Sequence, residues 1–251
     1  MVQKALSSIK STTAPGHDKF PGFVLKRLAG ALAPNITTIY NSSIHNNIVP
    51  NSWKMAEVKA IYKQKGSKSD PNNYRPISVL PILGRTLEKL VATQLYAYCD
   101  THNILPLEQF GFRRHSSCEM ALFAATDSWM KSVDRGSFAG ALLVDLSKAF
   151  DTVPHQLLLS ELRDIGCSIE VLLWFCDYLT HRLQRVITYE EITDWIMVSS
   201  SVVTVLKFFL SVGFGRFWRK NLGFRFGFGF HDKCVVNYFM SRAIWYHYYH
   251  P

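Results

Sequence analysis

The feature that most constrains the fold is an apolar run, Phe138–Val144, which ends directly on a carboxylate, Asp145. The run predicts a buried β-strand, and Phe150 and Asp151 follow shortly after Asp145. Functional sites on mixed sheets often lie just past strand ends, where a side chain can leave the core for a cleft. An aspartate there could bind a divalent metal, because hard cations prefer carboxylate oxygens. The alternative is a surface aspartate that caps the next turn.

A basic hairpin is predicted between residues 56 and 80. The segment AEVKAIY (56–62) alternates as a strand does, KQKGSKSDPNN is typical of an exposed turn, and YRPISVL (74–80) is typical of a second strand. The basic residues that this hairpin would carry are Lys59, Lys63, Lys65, Lys68 and Arg75.

Helical spacing of apolar residues recurs along the rest of the chain. It predicts a helix over 84–98, and Ser116 with Glu119 predicts a capping box ahead of a helix that runs through Trp129. Pro154 suits the first turn of another helix, and Ser168 is a candidate cap for the next. The residues that this last helix would turn inward are Ile169, Leu172, Leu173 and Cys176. Segments 183–189 and 195–198 predict a short β pair.

The character of the chain changes near Ser201. Residues 201–251 hold nine of the 17 phenylalanines and seven of the 28 basic residues, against one acid, Asp232, of 19. Most of the net charge of +9 therefore comes from this segment, so the charge favours a polyanionic partner only weakly. Residues 196–215 are nearly long and apolar enough to span a bilayer, but Lys207 at their centre argues against membrane insertion.

The cysteines indicate a reducing compartment. They are Cys99, Cys118, Cys167, Cys176 and Cys234, which are odd in number, scattered and without the spacing of a zinc site. The N-terminus lacks an apolar stretch of the length that a signal peptide has. We therefore expect an intracellular protein, nuclear or cytoplasmic.

Four blocks, in order from about residue 4 to residue 199, resemble the reverse transcriptases of non-LTR (LINE-like) retrotransposons. The first block contains a Gly-x-Asp pair at Gly16 and Asp18. The blocks are KSTTAPGHDKFPGFVLKRL, NSWKMAEVKAIYKQKGSKSDPNNYRPISVLPILGRTLEKLV, LEQFGFRRHSSCEMAL and ALLVDLSKAFDTVPHQLLLSEL.

The resemblance implies an α+β fold, that of a right-hand polymerase with fingers and a partial palm. Residues 1–52 would form the N-terminal extension motif and its helices, residues 53–135 the fingers, and residues 136–199 part of the palm. Residues 200–251 would be a non-homologous tail, such as a frameshift or an intron read-through produces.

The resemblance also assigns roles in the palm. Asp145 matches the first metal-binding aspartate of a two-metal Mg²⁺ site, and the carbonyl of Leu146 would be a second ligand. Phe150 matches the residue that lies under the sugar and excludes a 2′-hydroxyl, with an ordinary core aromatic as the alternative. Asp151 would be structural, as a helix cap.

In the fingers, Arg75 matches the arginine that holds the triphosphate of a deoxynucleotide, and Lys63 matches its partner lysine, although Lys59 and Lys65 are close enough to compete. A solvated basic hairpin is the alternative. Gln109 and Arg113, with Gly111 and Phe112 between them, would hold template or nucleotide, and their alternative is a turn between two helices. Basic residues that would contact template phosphates are Lys19, Lys26 and Arg27.

The sequence departs from the family after Ser200. It contains no Gly-x-Pro-Gln-Gly turn and no aromatic-x-Asp-Asp, the motif that would supply the remaining metal ligands. We therefore expect a truncated RNA-directed DNA polymerase domain whose partners are an RNA template, a DNA primer and deoxynucleoside triphosphates, without activity as this chain. The alternatives are a non-catalytic nucleic-acid-binding remnant and a pseudogene product that does not fold.

Overall fold

The computed structural model describes residues 1–144, 154–188 and 191–198 and, as backbone, 229–231 and 234–240. These residues divide into two units, each with its own sheet. The first unit comprises the described residues of 1–95 and 154–198, and the second comprises residues 96–144 with the two strands beyond residue 228. Helices and strands are interspersed in both halves of the described chain, which is the α+β content that the sequence predicts.

The helices and strands are numbered in chain order. The helices are α1 (Val2–Ser7), α2 (Gly22–Arg27), α3 (Ala29–His45), α4 (Ile82–Thr101), α5 (Cys118–Asp134), α6 (His155–Asp164) and α7 (Ile169–Leu179). The strands are β1 (Met55–Tyr62), β2 (Tyr74–Val79), β3 (Phe138–Val144), β4 (Arg182–Ile187), β5 (Ile196–Val198), β6 (Gly229–His231) and β7 (Cys234–Met240).

The sheet of the first unit has four strands in the order β2-β1-β4-β5. β1 pairs antiparallel with β2 and parallel with β4, and β5 pairs antiparallel with β4. The predicted basic hairpin and the predicted short β pair are therefore both confirmed, and the parallel β1–β4 pairing joins them into one sheet.

Gly16, in the first of the four sequence blocks, is required by a close approach of two backbones. A Cβ at this position would lie 2.7 Å from the carbonyl carbon of Leu80, which is closer than real Cβ contacts come. The segment before α2 is thereby packed against the junction of β2 and α4.

A polar cluster fixes α7 against the rest of the first unit. The Asp177 carboxylate accepts hydrogen bonds from the buried Lys54 ammonium at 2.8 Å and from the Val49 backbone N–H at 2.7 Å. At the next residue of α7, the buried Tyr178 hydroxyl donates to the Glu88 carboxylate at 2.8 Å. Burial raises the pKa of Tyr178 far above its ordinary value, and the nearby Glu88 charge raises it further. Tyr178 therefore remains a neutral donor at physiological pH.

The predicted inward face of α7 is wrong. Trp174, Phe175, Tyr178 and Leu179 are buried, whereas Ile169, Leu173 and Cys176 are exposed and Leu172 is half-buried. The helix is apolar around most of its circumference, so its periodicity does not select a face. On the buried side, Trp174, Phe175 and Tyr178 form three stacked or edge-on aromatic pairs, which stabilise the packing beyond the burial of the rings.

Two predicted helix starts are displaced by one residue. Ser117 rather than Ser116 caps α5, because Ser117 has extended backbone and its hydroxyl accepts from the Met120 N–H at 3.3 Å. Glu119 is then the second helical residue, so the predicted capping box is wrong. Pro154 is the extended residue before α6 rather than a member of its first turn.

The sheet of the second unit contains three described strands in the order β3-β7-β6. The predicted strand over Phe138–Val144 is confirmed as β3, which pairs parallel with β7. Its predicted burial is wrong at residues 138–141, which are exposed, with Phe138 at 81%. β3 lies at the edge of this described sheet, so within the described residues it has a hydrogen-bonded neighbour strand on one side only.

Candidate nucleic-acid interface

The β1–β2 hairpin collects basic side chains on one of its faces. Ile61 lies opposite Arg75 and Lys59 lies opposite Ile77 in the antiparallel register. Residues that oppose each other point to the same side, and alternate residues along a strand share that side. Lys59, Ile61, Arg75 and Ile77 therefore lie on one face, which is called the cationic face below.

Lys63 continues this face beyond the end of β1. Its backbone N–H donates to the Asn73 carbonyl at 2.8 Å, which extends the pairing by one residue. Its ammonium donates to the Asn72 carbonyl at 2.7 Å, using one of the three donors of a lysine. Lys63 and Arg75 are diagonal neighbours, so their backbones are roughly 7–8 Å apart. The structure thus brings these two predicted residues together.

The turn of the hairpin is held by its own hydrogen bonds. The Tyr62 hydroxyl donates to the Gly66 carbonyl, and the Tyr74 hydroxyl donates to the Lys68 carbonyl at 2.8 Å. The two tyrosine rings lie 5.4 Å apart, and the Lys68 ammonium lies 5.9 Å from the Tyr62 ring. Gly66 has a φ of +80°, a conformation that glycine adopts without strain. These contacts therefore hold the basic turn in a defined conformation.

A buried carboxylate lies at the inner end of the cationic face, and the sequence did not predict it. Glu57 is only 3% exposed, and it accepts hydrogen bonds from the Arg185 guanidinium at 2.6 Å and the Lys19 ammonium at 3.2 Å. Burial alone would raise the pKa of Glu57, but hydrogen bonds and charge from Arg185 and Lys19 outweigh it and hold the pKa below its ordinary value. Glu57 is therefore ionised at physiological pH.

Aromatic rings complete the surroundings of Arg185. Its guanidinium lies 4.5 Å from the centre of the Trp195 ring, within the range of a cation–π interaction. The His17 ring meets Trp195 edge-on at 5.7 Å. Segments 17–19, β1, β4 and residue 195 thus converge here, although they are far apart in the sequence. The sequence offered one signal for this cluster, which was an acid, Glu57, at a strand position within a basic segment.

Gln109 and Arg113 lie in the second unit, in the loop between α4 and α5. The Arg113 guanidinium donates to the Pro106 carbonyl at 2.8 Å, and the Gln109 amide donates to the Gly111 carbonyl at 3.4 Å. The Tyr96 hydroxyl donates to the Phe112 carbonyl at 2.6 Å, and burial raises its pKa to about 12. These bonds fold the block into a compact turn. Its contact with template or nucleotide stays a prediction.

Lys26 and Arg27, the other predicted phosphate contacts, are exposed at the last turn of α2. Asp145, Leu146, Phe150 and Asp151 lie outside the described residues. Within the ranges that the structure describes, no group of three or more His, Cys, Asp or Glu side chains could hold a metal ion. In the same ranges, no helix has the length and apolarity of a membrane span, and most of segment 196–215 falls outside them.

Residues 62–200 match the family described as reverse transcriptase (RNA-dependent DNA polymerase). The probable RNA-directed DNA polymerase from transposon BS of Drosophila melanogaster is 30% identical over 164 residues, which are 65% of this chain and 18% of that protein. The RNA-directed DNA polymerase from mobile element jockey of the same species is 28% identical over 158 residues, 63% of this chain and 17% of that protein.

The putative 115 kDa protein in type-1 retrotransposable element R1DM, also from Drosophila melanogaster, is 30% identical over 182 residues, 69% of this chain and 16% of that protein. The chain thus spans less than a fifth of the length of each of these relatives. Because the family match covers more than half of the chain, the protein belongs to the reverse transcriptase family, of the non-LTR kind that its sequence motifs predict.

Proposed function

We propose that this chain supplies the fingers and the first part of the palm of an RNA-directed DNA polymerase from a non-LTR mobile element. Its ligands would be an RNA template, a DNA primer and deoxynucleoside triphosphates. The observation that carries the proposal is the ordered hairpin that presents Lys63 and Arg75 together on the cationic face. A guanidinium offers paired donors to phosphate oxygens, and an ammonium adds a compact charge beside it.

The family is a nucleotidyltransferase family that generally uses a divalent metal, and Mg²⁺ is the ion we propose. Asp145 is the carboxylate type that Mg²⁺ prefers, Leu146 would add its carbonyl oxygen, and Phe150 would lie beneath the sugar. The described residues offer no further ligand cluster, and the 251-residue sequence contains no Asp-Asp pair. The ligand set does not fit a complete two-metal centre, so we derive no metal-dependent step for this chain.

A second candidate function is nucleic-acid binding without chemistry. It is favoured by one contrast: the β1–β2 hairpin that would bind phosphates is formed, whereas the sequence lacks the Asp-Asp pair of the family. Primer extension separates the two functions. We expect the purified chain to bind primer–template without extending it. Extension that disappears on Asp145→Ala would show that the catalytic centre is complete after all.

Binding itself is tested by the salt dependence of affinity for a labelled RNA. Each phosphate contact that is removed should lower the slope of log affinity against log salt by about 1. We therefore expect Lys63→Gln with Arg75→Gln to lower the slope by about 2. Lys10→Gln with Arg163→Gln removes the same charge from exposed positions elsewhere in the first unit and should leave the slope nearly unchanged. Equal slopes for the two double variants would reject the proposed interface.

We expect an intracellular site of action. The cysteines whose side chains the structure describes, Cys99, Cys118, Cys167 and Cys176, are free thiols. Free thiols persist in reducing compartments such as the nucleus and the cytoplasm.

A further inference from the structure

We infer that Glu57 is a positioning residue, which fixes Lys19 and Arg185 so that they extend the cationic face toward the phosphates of a bound nucleic-acid strand. The inference rests on the proposed function, since it assigns additional residues to the same interface.

The sheet register places the cluster in line with the hairpin. Glu57 lies opposite Val79 on β2 and opposite Arg185 on β4. By strand alternation Glu57 shares its face with Lys59, Ile61 and therefore Arg75. The four residue steps from Glu57 to Ile61 span about 13 Å of β-strand, which is about the axial rise of four nucleotide steps along one strand of a DNA duplex. A nucleic-acid strand that contacts Arg75 can therefore also reach the Glu57 cluster.

Lys19 is held in place although most of its side chain is exposed. The side chain is 67% accessible, and the ammonium contacts both carboxylate oxygens of Glu57, at 3.2 and 3.3 Å. The backbone of Lys19 has a φ of +55°, which is unfavourable for a residue other than glycine. An exposed lysine is ordinarily mobile, so the two contacts with Glu57 fix a charge that would otherwise sample many positions.

Arg185 is fixed from two sides. Glu57 holds its guanidinium at 2.6 Å, and the Trp195 ring lies 4.5 Å from it. Two cations share one carboxylate, so the cluster keeps a net positive charge. A neutralising acid would weaken the attraction for a polyanion, whereas a positioning acid strengthens binding by fixing the cations before the ligand arrives. If Glu57 only neutralises charge, removal of its charge should strengthen RNA binding. If Glu57 positions the two cations, the same removal should weaken RNA binding.

The first test compares Glu57→Gln with Glu191→Gln in the full chain, using a fluorescein-labelled single-stranded RNA at about 50 and about 200 mM salt. Glu191 is an exposed acid of the same unit. We expect Glu57→Gln to weaken binding several-fold although it raises the net charge, and Glu191→Gln to leave binding equal or slightly tighter. Equal or tighter binding by Glu57→Gln would overturn the inference.

The second test avoids the buried position. Lys19→Gln and Lys10→Gln each remove one lysine from the N-terminal segment, and both residues are exposed, so both variants should fold. We expect Lys19→Gln to weaken RNA binding several-fold more than Lys10→Gln, and equal losses would overturn the inference. Failure of the unmodified chain to show salt-dependent RNA binding would instead refute the proposed function.

Discussion

Replacement of Glu57 by glutamine should destabilise the first unit by an amount that its contacts define. The Arg185 bond is short and largely buried, and a hydrogen bond to a charged group contributes about 1.5–3 kcal/mol. The Lys19 bond involves a mostly exposed ammonium and contributes at most about 1 kcal/mol. Glutamine keeps the shape and one acceptor oxygen but loses the charge. We therefore expect the free energy of unfolding to fall by about 2–4 kcal/mol.

Urea denaturation followed by far-ultraviolet circular dichroism and tryptophan fluorescence measures this change. With a denaturant slope of about 2 kcal/mol per molar urea, the midpoint should fall by about 1–2 M. Glu191→Gln, the matched control on the surface, should change the free energy of unfolding by no more than about 0.5 kcal/mol. A Glu57→Gln midpoint that coincides with that of the control would refute the assignment of Glu57 as a buried, doubly bonded carboxylate.

Three further outcomes are expected. Because the pKa of Glu57 is lowered in the fold, its stabilisation is present above the ordinary value of 4.5 and is lost as pH falls through the lowered value. Melting temperatures measured down this range should therefore fall less steeply in Glu57→Gln than in the unmodified chain. Asp177→Asn should lower the free energy of unfolding by about 3 kcal/mol, because it leaves the buried Lys54 ammonium without a charged partner, while Asp194→Asn at the surface should change little in the same urea assay. Ser117→Ala should lower the free energy of unfolding by about 1 kcal/mol and Ser116→Ala by much less, and the opposite order would restore the capping box expected from the sequence.

The parts of the fold that sequence patterns predict are those set by local chemistry. The β1–β2 hairpin follows from strand alternation on either side of a turn-forming segment, and its register brings Lys63 and Arg75 together without any long-range information. The face of α7 is not set locally. Its sequence is apolar around most of the circumference, so the choice of Trp174 and Tyr178 over Ile169 and Leu173 depends on partners that lie more than eighty residues away.

The Glu57 cluster escaped prediction for a related reason. A glutamate in a strand next to several lysines is ordinarily a solvated residue that balances charge. Its burial depends on the parallel pairing of β1 with β4, which places Arg185 in register with Glu57 across a separation of 128 residues. No spacing rule connects these positions, because parallel strands are joined by crossovers of variable length.

The Gly16–Lys19 segment is attached at two points to the rest of the first unit. At one end Gly16 packs against the Leu80 backbone, where any side chain would clash. At the other end the Lys19 ammonium contacts Glu57, and between them the Asp18 carboxylate accepts from the Phe20 N–H at 3.3 Å, which tightens the turn. A segment attached at both ends cannot move independently of the sheet beneath it. A displacement of Gly16 should therefore also displace the Lys19 ammonium from Glu57, so the Gly-x-Asp block of this chain fixes the position of a cation.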